Sequence, residues 1–129
     1  GVWRGKASRL GCQERIRPEE LWDVPLIRSC QSMVSKQVSG WIKRDFDKLN
    51  IVATYNLVYN ASLMVEEGLG CALCLDKLVN TSGDSKLCFK PLEPKLEANL
   101  NLVWKKYQIF SKPAELFLKT VQDSLTLFK

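Results

Sequence analysis

Tyr59-Asn60-Ala61-Ser62-Leu63-Met64-Val65-Glu66-Glu67-Gly68-Leu69-Gly70, continuing into Cys71-Ala72-Leu73-Cys74-Leu75, decides how the rest of the chain is read. It reads as a short helix, a glycine stop and a buried strand. Asn60 suits an N-cap, because its side-chain oxygen can accept from the free amides of a first helical turn. Leu63 and Met64 supply the apolar stripe. Gly68 falls where a left-handed residue ends a helix. Gly70 permits a tight bend or a close backbone approach. The apolar run that follows is that of a strand covered on both faces. With the β-branched stretch Ile51-Val52-Ala53-Thr54-Tyr55 before it, the whole is a βαβ unit, which predicts a parallel α/β sheet.

Working outward, Arg17-Pro18-Glu19-Glu20-Leu21-Trp22 reads as one helical turn, with proline first and acids beside it. Pro25-Leu26-Ile27-Arg28 is a short strand. A helix is expected over 32–48, since Val34, Val38, Ile42, Phe46 and Leu49 recur at three-to-four spacing; Gly40 weakens it without ending it. Asp76-Lys77-Leu78-Val79 reads as a helical turn and 80–85 as a polar loop. Leu87–Leu92 is a strand stopped by Pro91 and Pro94, and Leu100–Trp104 a further strand. A last helix opens at Ser111-Lys112-Pro113, with Ala114, Phe117, Leu118, Val121 and Leu125 on one face. Strands alternate with helices, the α/β order.

The 129 residues, 46% hydrophobic and 26% charged, suffice for one domain with a real core. No apolar run approaches the ~18 residues of a membrane helix. The net charge of +5 is spread along the chain, so a mildly basic surface is the simpler reading than a polyanion groove. The start at Gly1-Val2-Trp3-Arg4, without a signal-peptide pattern, is expected of a fragment of a longer protein. Five cysteines, at 12, 30, 71, 74 and 88, form an odd set that argues against a disulfide framework and for reduced core thiols. Cys71-Ala72-Leu73-Cys74 has C-x-x-C spacing, but zinc needs a second ligand pair and the chain has no histidine. The pair also lies in a strand, away from the helix N-terminus that would activate a thiol. No metal and no cofactor is expected.

Nucleophilic catalysis lacks its histidine base. Glu19-Glu20 and Glu66-Glu67 are neighbours that diverge on a helix, and read as solvated faces. Binding remains. In open parallel sheets, ligands sit beyond the carboxyl ends of strands, near helix amides. Two such junctions exist: Ser29-Cys30-Gln31-Ser32 and Thr54 through Asn60. The simpler alternative is that Ser29, Ser32, Asn56 and Asn60 only cap helices.

Glu20-Leu21-Trp22-Asp23-Val24-Pro25-Leu26-Ile27, followed by Asn60 through Gly70 and then by Val103-Trp104-Lys105-Lys106 and Phe117-Leu118, resembles the effector-binding domain of LysR-type transcriptional regulators. The resemblance runs from Val2 over essentially the whole chain, and rests on the order of the motifs. It implies a periplasmic-binding-protein-like (type II) α/β fold, mostly the second Rossmann-like subdomain. On that reading 1–11 is a crossing strand and hinge from the first subdomain, 12–98 the second subdomain, and 99–129 a return strand and helix of the first. It further implies a non-enzymatic, cytoplasmic sensor. A small effector would occupy the inter-subdomain cleft, and DNA would be bound only through a separate N-terminal domain outside this chain. Homo-oligomers are expected, as is exposure of the apolar faces of the first strand and last helix. Carried over position by position, the cleft residues are Ser29, Cys30, Gln31, Thr54, Tyr55 and Asn56. Arg9 departs from the family, standing where a proline is common before Leu10. The rival readings are a solute-binding module of a transport system with the same fold, and a thiol enzyme using Cys71 or Cys74.

Overall fold

The structure is a computed structural model that describes residues 1–8 and 13–127, with the backbone alone for 32–35 and 127. The expectations for Arg9, Cys12 and the side chains of Ser32 and Val34 lie outside the described residues. The chain divides into two units, Gly1–Ala98 and Asn99–Lys129.

The first unit is built on a five-stranded sheet. Its strands are β1 (Val2–Gly5), β2 (Leu26–Ser29), β3 (Ile51–Tyr55), β4 (Cys71–Leu73) and β5 (Leu87–Lys90), in the spatial order β3-β2-β4-β1-β5. β2 pairs in parallel with both β3 and β4. The two flanking strands of the βαβ unit are therefore separated by β2. β1 pairs antiparallel with β4 and β5. The sheet is thus mixed, with β1 running against the other four, where a parallel sheet was predicted. Val2 and Trp3 are fully buried, which corrects the expectation of an exposed first strand: β1 has a hydrogen-bonded neighbour on each side.

Side chains alternate between the sheet's faces, and two clusters result. Val2, Leu26 and Cys71 join Ile16, Leu21, Trp41, Ile42, Leu49 and Leu92 on one face. Trp3, Ile27 and Ala72 join Tyr55, Ala61, Val65 and Leu87 on the other. Helix α1 (Ser32–Ile42) covers the first face through Trp41 and Ile42, and α2 (Val58–Glu66) covers the second through Ala61 and Val65.

Both helices differ in extent from the sequence pattern. α2 starts at Val58, with Leu57 at the N-cap position, so Asn60 lies inside its first turn and caps nothing. The phase moves with the start. Ala61, Ser62 and Val65 are buried, while Leu63 is 45% exposed and Met64 packs only partly against the core. The Ser62 hydroxyl, in a buried position, donates to the Tyr59 carbonyl at 2.7 Å. Gly68 ends α2 at φ +79°, as its position predicts. α1 stops at Ile42 and not at 48, with Lys43 in the left-handed region at φ 55°. The Trp22 indole donates to the Ile42 carbonyl at 3.0 Å, occupying an acceptor that a continued helix would use. A separate 3-10 turn, Phe46–Lys48, follows. Pro18–Leu21 is also a 3-10 turn, and the Arg17 amide donates to the Glu20 carboxylate at 2.7 Å. Residues 76–79 form a turn and not a helix; the Lys77 amide donates to the Asp76 side chain at 2.8 Å.

In the second unit, 100–104 does not form the predicted strand. Backbone groups of a strand need a neighbour to pair with, and no strand among the described residues pairs here; Leu100 and Val103 are more than four-fifths exposed. Trp104 and Phe110 meet edge to face at 6.4 Å. Helix α3 (Lys112–Leu127) begins directly after Ser111, and the Glu115 amide donates to the Ser111 carbonyl. Phe117 is exposed as expected, whereas Leu118 and Val121 are half-buried.

Candidate functional site

β2 and β3 are adjacent and parallel, yet the helices that follow them leave for opposite faces: α1 toward the cluster around Val2 and Leu26, α2 toward the cluster around Trp3 and Ile27. A crevice must open between two such connections at the carboxyl ends of the strands. Ser29 is the last residue of β2 and Tyr55 the last of β3, and the two are register partners. The Cys30 amide donates to the Tyr55 carbonyl at 2.8 Å, tying the two turns together. The fold therefore brings Ser29, Cys30, Gln31, Thr54, Tyr55 and Asn56 to one end of the sheet. Neither Gln31 nor Leu57, the N-cap residues of α1 and α2, caps its helix through its side chain. The amides of both first turns face this end of the sheet, where helix dipoles favour negative charge.

The six residues differ in accessibility. Cys30, Gln31, Thr54 and Asn56 are exposed and Ser29 is half-buried. Tyr55 lies beneath them, buried in the second core, and its hydroxyl donates to the Leu73 carbonyl at 2.9 Å. Burial pushes its phenol up to about 12, with the nearby Cys74 thiol acting in the same direction. The Ser29 side chain accepts from the Gln31 amide at 3.2 Å, a local turn and not a helix cap.

Arg28 escaped the reading of the sequence. It precedes Ser29 in β2, is half-buried, and lays its guanidinium over the Phe46 ring at 4.8 Å. Its Nε is buried without a hydrogen-bond partner. The available signal was a cation inside the otherwise apolar start of a strand, Leu26-Ile27-Arg28.

The thiols are disposed as core side chains. Cys71 belongs to the first core, and Cys74 packs against the second. Burial raises the Cys71 thiol above its ordinary value, and pushes Cys74 up to about 12. Among the four described cysteines only Cys30 is exposed. Iodoacetamide at neutral pH is therefore expected to label Cys30 of the native chain well before Cys71 or Cys74, as read by peptide mass. Faster modification of Cys74 would reinstate an active thiol.

The same burial gives a pH dependence. Tyr55 and Cys74 are both held neutral in the fold, with pKa values raised from 10 and 9 to about 12. Their contribution is fully present below pH 9. From there to about pH 12 the unfolded chain ionises first, so stability falls. Thermal melts should drop across that window, and less steeply for Tyr55→Phe; a flat profile from pH 9 to 11 would contradict the burial of both groups.

A second concavity is lined by Gln13, Glu14, Arg15, Arg17, Glu20 and Glu93. Arg15 and Glu93 stand 4.0 Å apart with both side chains about half exposed or more. Charges of both signs offset one another there, and none of the residues of the β2 and β3 turns lines it. No group of three or more potential metal ligands occurs among the described residues, and no helix of the described residues is long and apolar enough to cross a membrane.

The family model of the LysR substrate binding domain matches residues 5–126. Among solved structures the chain is similar to HinK, a LysR family transcriptional regulator from Pseudomonas aeruginosa, with a TM-score of 0.70 at 18% identity over 96% of this chain and 43% of that one. It is similar to the C-terminal domain of a probable LysR family transcriptional regulator from Rhodococcus sp. RHA1, with a TM-score of 0.66 at 18% identity over 94% and 62%. The regulatory domain of Synechocystis PCC6803 CcmR, in complex with 2-PG, gives 0.65 at 16% identity over 95% and 61%. No curated protein matches the chain. At these identities the structural likeness bears on the fold. The chain spans less than half the length of HinK.

Proposed function

The chain belongs to the LysR substrate binding domain family, and on that premise we propose that it is the effector-sensing part of a DNA-binding transcription regulator, with a small molecule held at the carboxyl ends of β2 and β3. The observation that carries this reading is the divergence of α1 and α2 from adjacent parallel strands to opposite faces, which leaves two helix N-termini beside one crevice. We assign ligand contact to Ser29, Cys30, Gln31, Thr54 and Asn56, with Tyr55 supporting them from below. The positive ends of the helices and the nearby Arg28 favour a ligand with an anionic part.

In this reading 12–98 is the second subdomain of a two-subdomain sensor, and 1–11 and 99–129 belong with the first. The longer protein works in the cytoplasm, as a homo-oligomer, and meets DNA through another domain. The family is one of regulator effector-binding domains and not of enzymes; the protonated core thiols favour the same view of this chain.

The test is made in the longer protein. Ser29→Ala and Asn56→Ala should each blunt the effector response while leaving basal DNA binding unchanged, as measured by a reporter and by gel shift. An unchanged response in both variants would move the site elsewhere.

A further inference from the structure

We propose that Arg28 and Thr54 form an oxyanion site on the α1 side of the sheet, with Phe46 as a positioning residue beneath the guanidinium, so that the ligand carries a carboxylate or phosphate group that meets these two side chains. The inference rests on the reading of the strand ends as the effector site, and adds the place and the chemistry of the ligand's charge.

Register places the two residues together. Arg28 pairs with Thr54 across β2 and β3, and register partners share a face of the sheet with their strands about 5 Å apart. The neighbours Ile27 and Tyr55 belong to the cluster covered by α2. Arg28 and Thr54 therefore project to the other face, that of Leu26 and α1. Thr54 is exposed and Arg28 half-buried. Each stands one residue before the end of its strand, at Ser29 and Tyr55, so the pair adjoins the turns of the crevice.

The cation is held without an anion. The Arg28 guanidinium lies over the Phe46 ring at 4.8 Å, and Phe46 packs in turn against the first core. Arg28 Nε is buried with no hydrogen-bond partner, and no ion pair or hydrogen bond joins the Arg28 side chain to another described residue. Asp45, beside Phe46 in sequence, pairs with Lys48 at 3.5 Å. A guanidinium stays charged and offers five N–H donors in one plane. Half-burying it removes water from donors that the protein does not satisfy, which costs free energy. The ring offsets part of that cost, about 0.5–1 kcal/mol, but accepts no bond from the in-plane donors. An oxyanion accepts two parallel bonds from the guanidinium edge and a third from the Thr54 hydroxyl. Phe46 covers one face of the guanidinium and leaves its edge for the ligand.

The 15N-labelled chain is titrated with sodium acetate, inorganic phosphate, neutral acetamide and, as an ionic-strength control, sodium chloride. The Arg28 Nε–Hε and Thr54 amide resonances are followed. Acetate or phosphate should move both resonances saturably, and acetamide should bind at least about tenfold more weakly, the ratio of a charge-assisted hydrogen bond. The tighter of the two anions identifies the ligand's group as carboxylate or phosphate. Arg28→Gln should remove the preference for anions. Phe46→Leu should weaken acetate binding about threefold, and Phe46→Tyr should restore it. Thr54→Val should weaken it about fivefold; if Arg28→Gln does not fold, this variant decides, and an unchanged affinity contradicts the pair. Acetate shifts no larger than those of acetamide or sodium chloride at Arg28 and Thr54 overturn the proposal. Anion shifts confined to the Cys30, Gln31 and Asn56 amides, and unchanged in Arg28→Gln, overturn it while leaving the crevice as a site. Absence of any shift at either place overturns the proposal and the site together.

Discussion

Trp3→Ala is expected to destabilise the chain by about 3–5 kcal/mol, the range for truncating a large buried aromatic. Trp3 is fully buried and gathers residues from four strands and a helix: Ile27, Tyr55, Ala72 and Leu87 from the strands, with Ala61 and Val65 from α2. Its own strand is flanked on both sides, with Trp3 opposite Ala72 in β4 and Phe89 in β5. Loss of the ring leaves a void that the surrounding sheet cannot close by moving a single element. The indole Nε1 is buried without a hydrogen-bond partner, so the ring acts through its volume and contacts alone. Trp3→Phe should accordingly cost much less, about 1 kcal/mol, since it keeps most of the ring and removes an unpaired N–H. Urea unfolding of both variants checks the pair. A cost below about 1.5 kcal/mol for Trp3→Ala would mean that β1 is not a core strand.

Gly70→Ala should cost about 3 kcal/mol, because the clash is with backbone and has no rotamer to escape into. A Cβ at position 70 would stand 2.6 Å from the Pro25 carbonyl oxygen and 3.0 Å from its carbon. That same carbonyl accepts the Cys71 amide at 2.8 Å, so moving it away from a methyl group breaks the first bond between the β2 and β4 segments. Gly40→Ala is the matched control. Nothing lies within 4 Å of a Cβ there, the site is inside α1, and alanine should add about 0.5–1 kcal/mol. Equal effects at the two positions would remove close approach as the reason for Gly70.

Much of the fold was legible because local chemistry fixed it. Gly68 marked a helix end that depends on backbone geometry within a few residues, and Gly70 signalled a close approach, although its partner, the Pro25 carbonyl, lies in a distant segment. The alternation of strands and helices, and the order of the motifs, indicated the α/β class and the family. The misreadings arose where a distant partner decides. The end of α1 depends on Trp22 reaching the Ile42 carbonyl, twenty residues away in sequence. The direction of β1 depends on β4 and β5, and the strand pattern at 100–104 finds no partner among the described residues. For the site, the turns after β2 and β3 were legible because strand ends and helix starts locate a crevice. The hydrogen bond from the Tyr55 hydroxyl to the Leu73 carbonyl was not, since it joins β3 to β4, which only the assembled sheet brings near one another. Arg28 was overlooked because a single charge in a short strand resembles a snorkelling surface residue.

The most direct measurement of the central claim is to screen small metabolites for those that raise the melting temperature of the chain, and then to map the best binder by amide chemical shifts. The account predicts the largest shifts at Cys30, Gln31, Asn56 and Leu57, around the ends of β2 and β3. Shifts confined to the concavity between Arg15, Arg17 and Glu93, with the β2 and β3 turns unmoved, would contradict it.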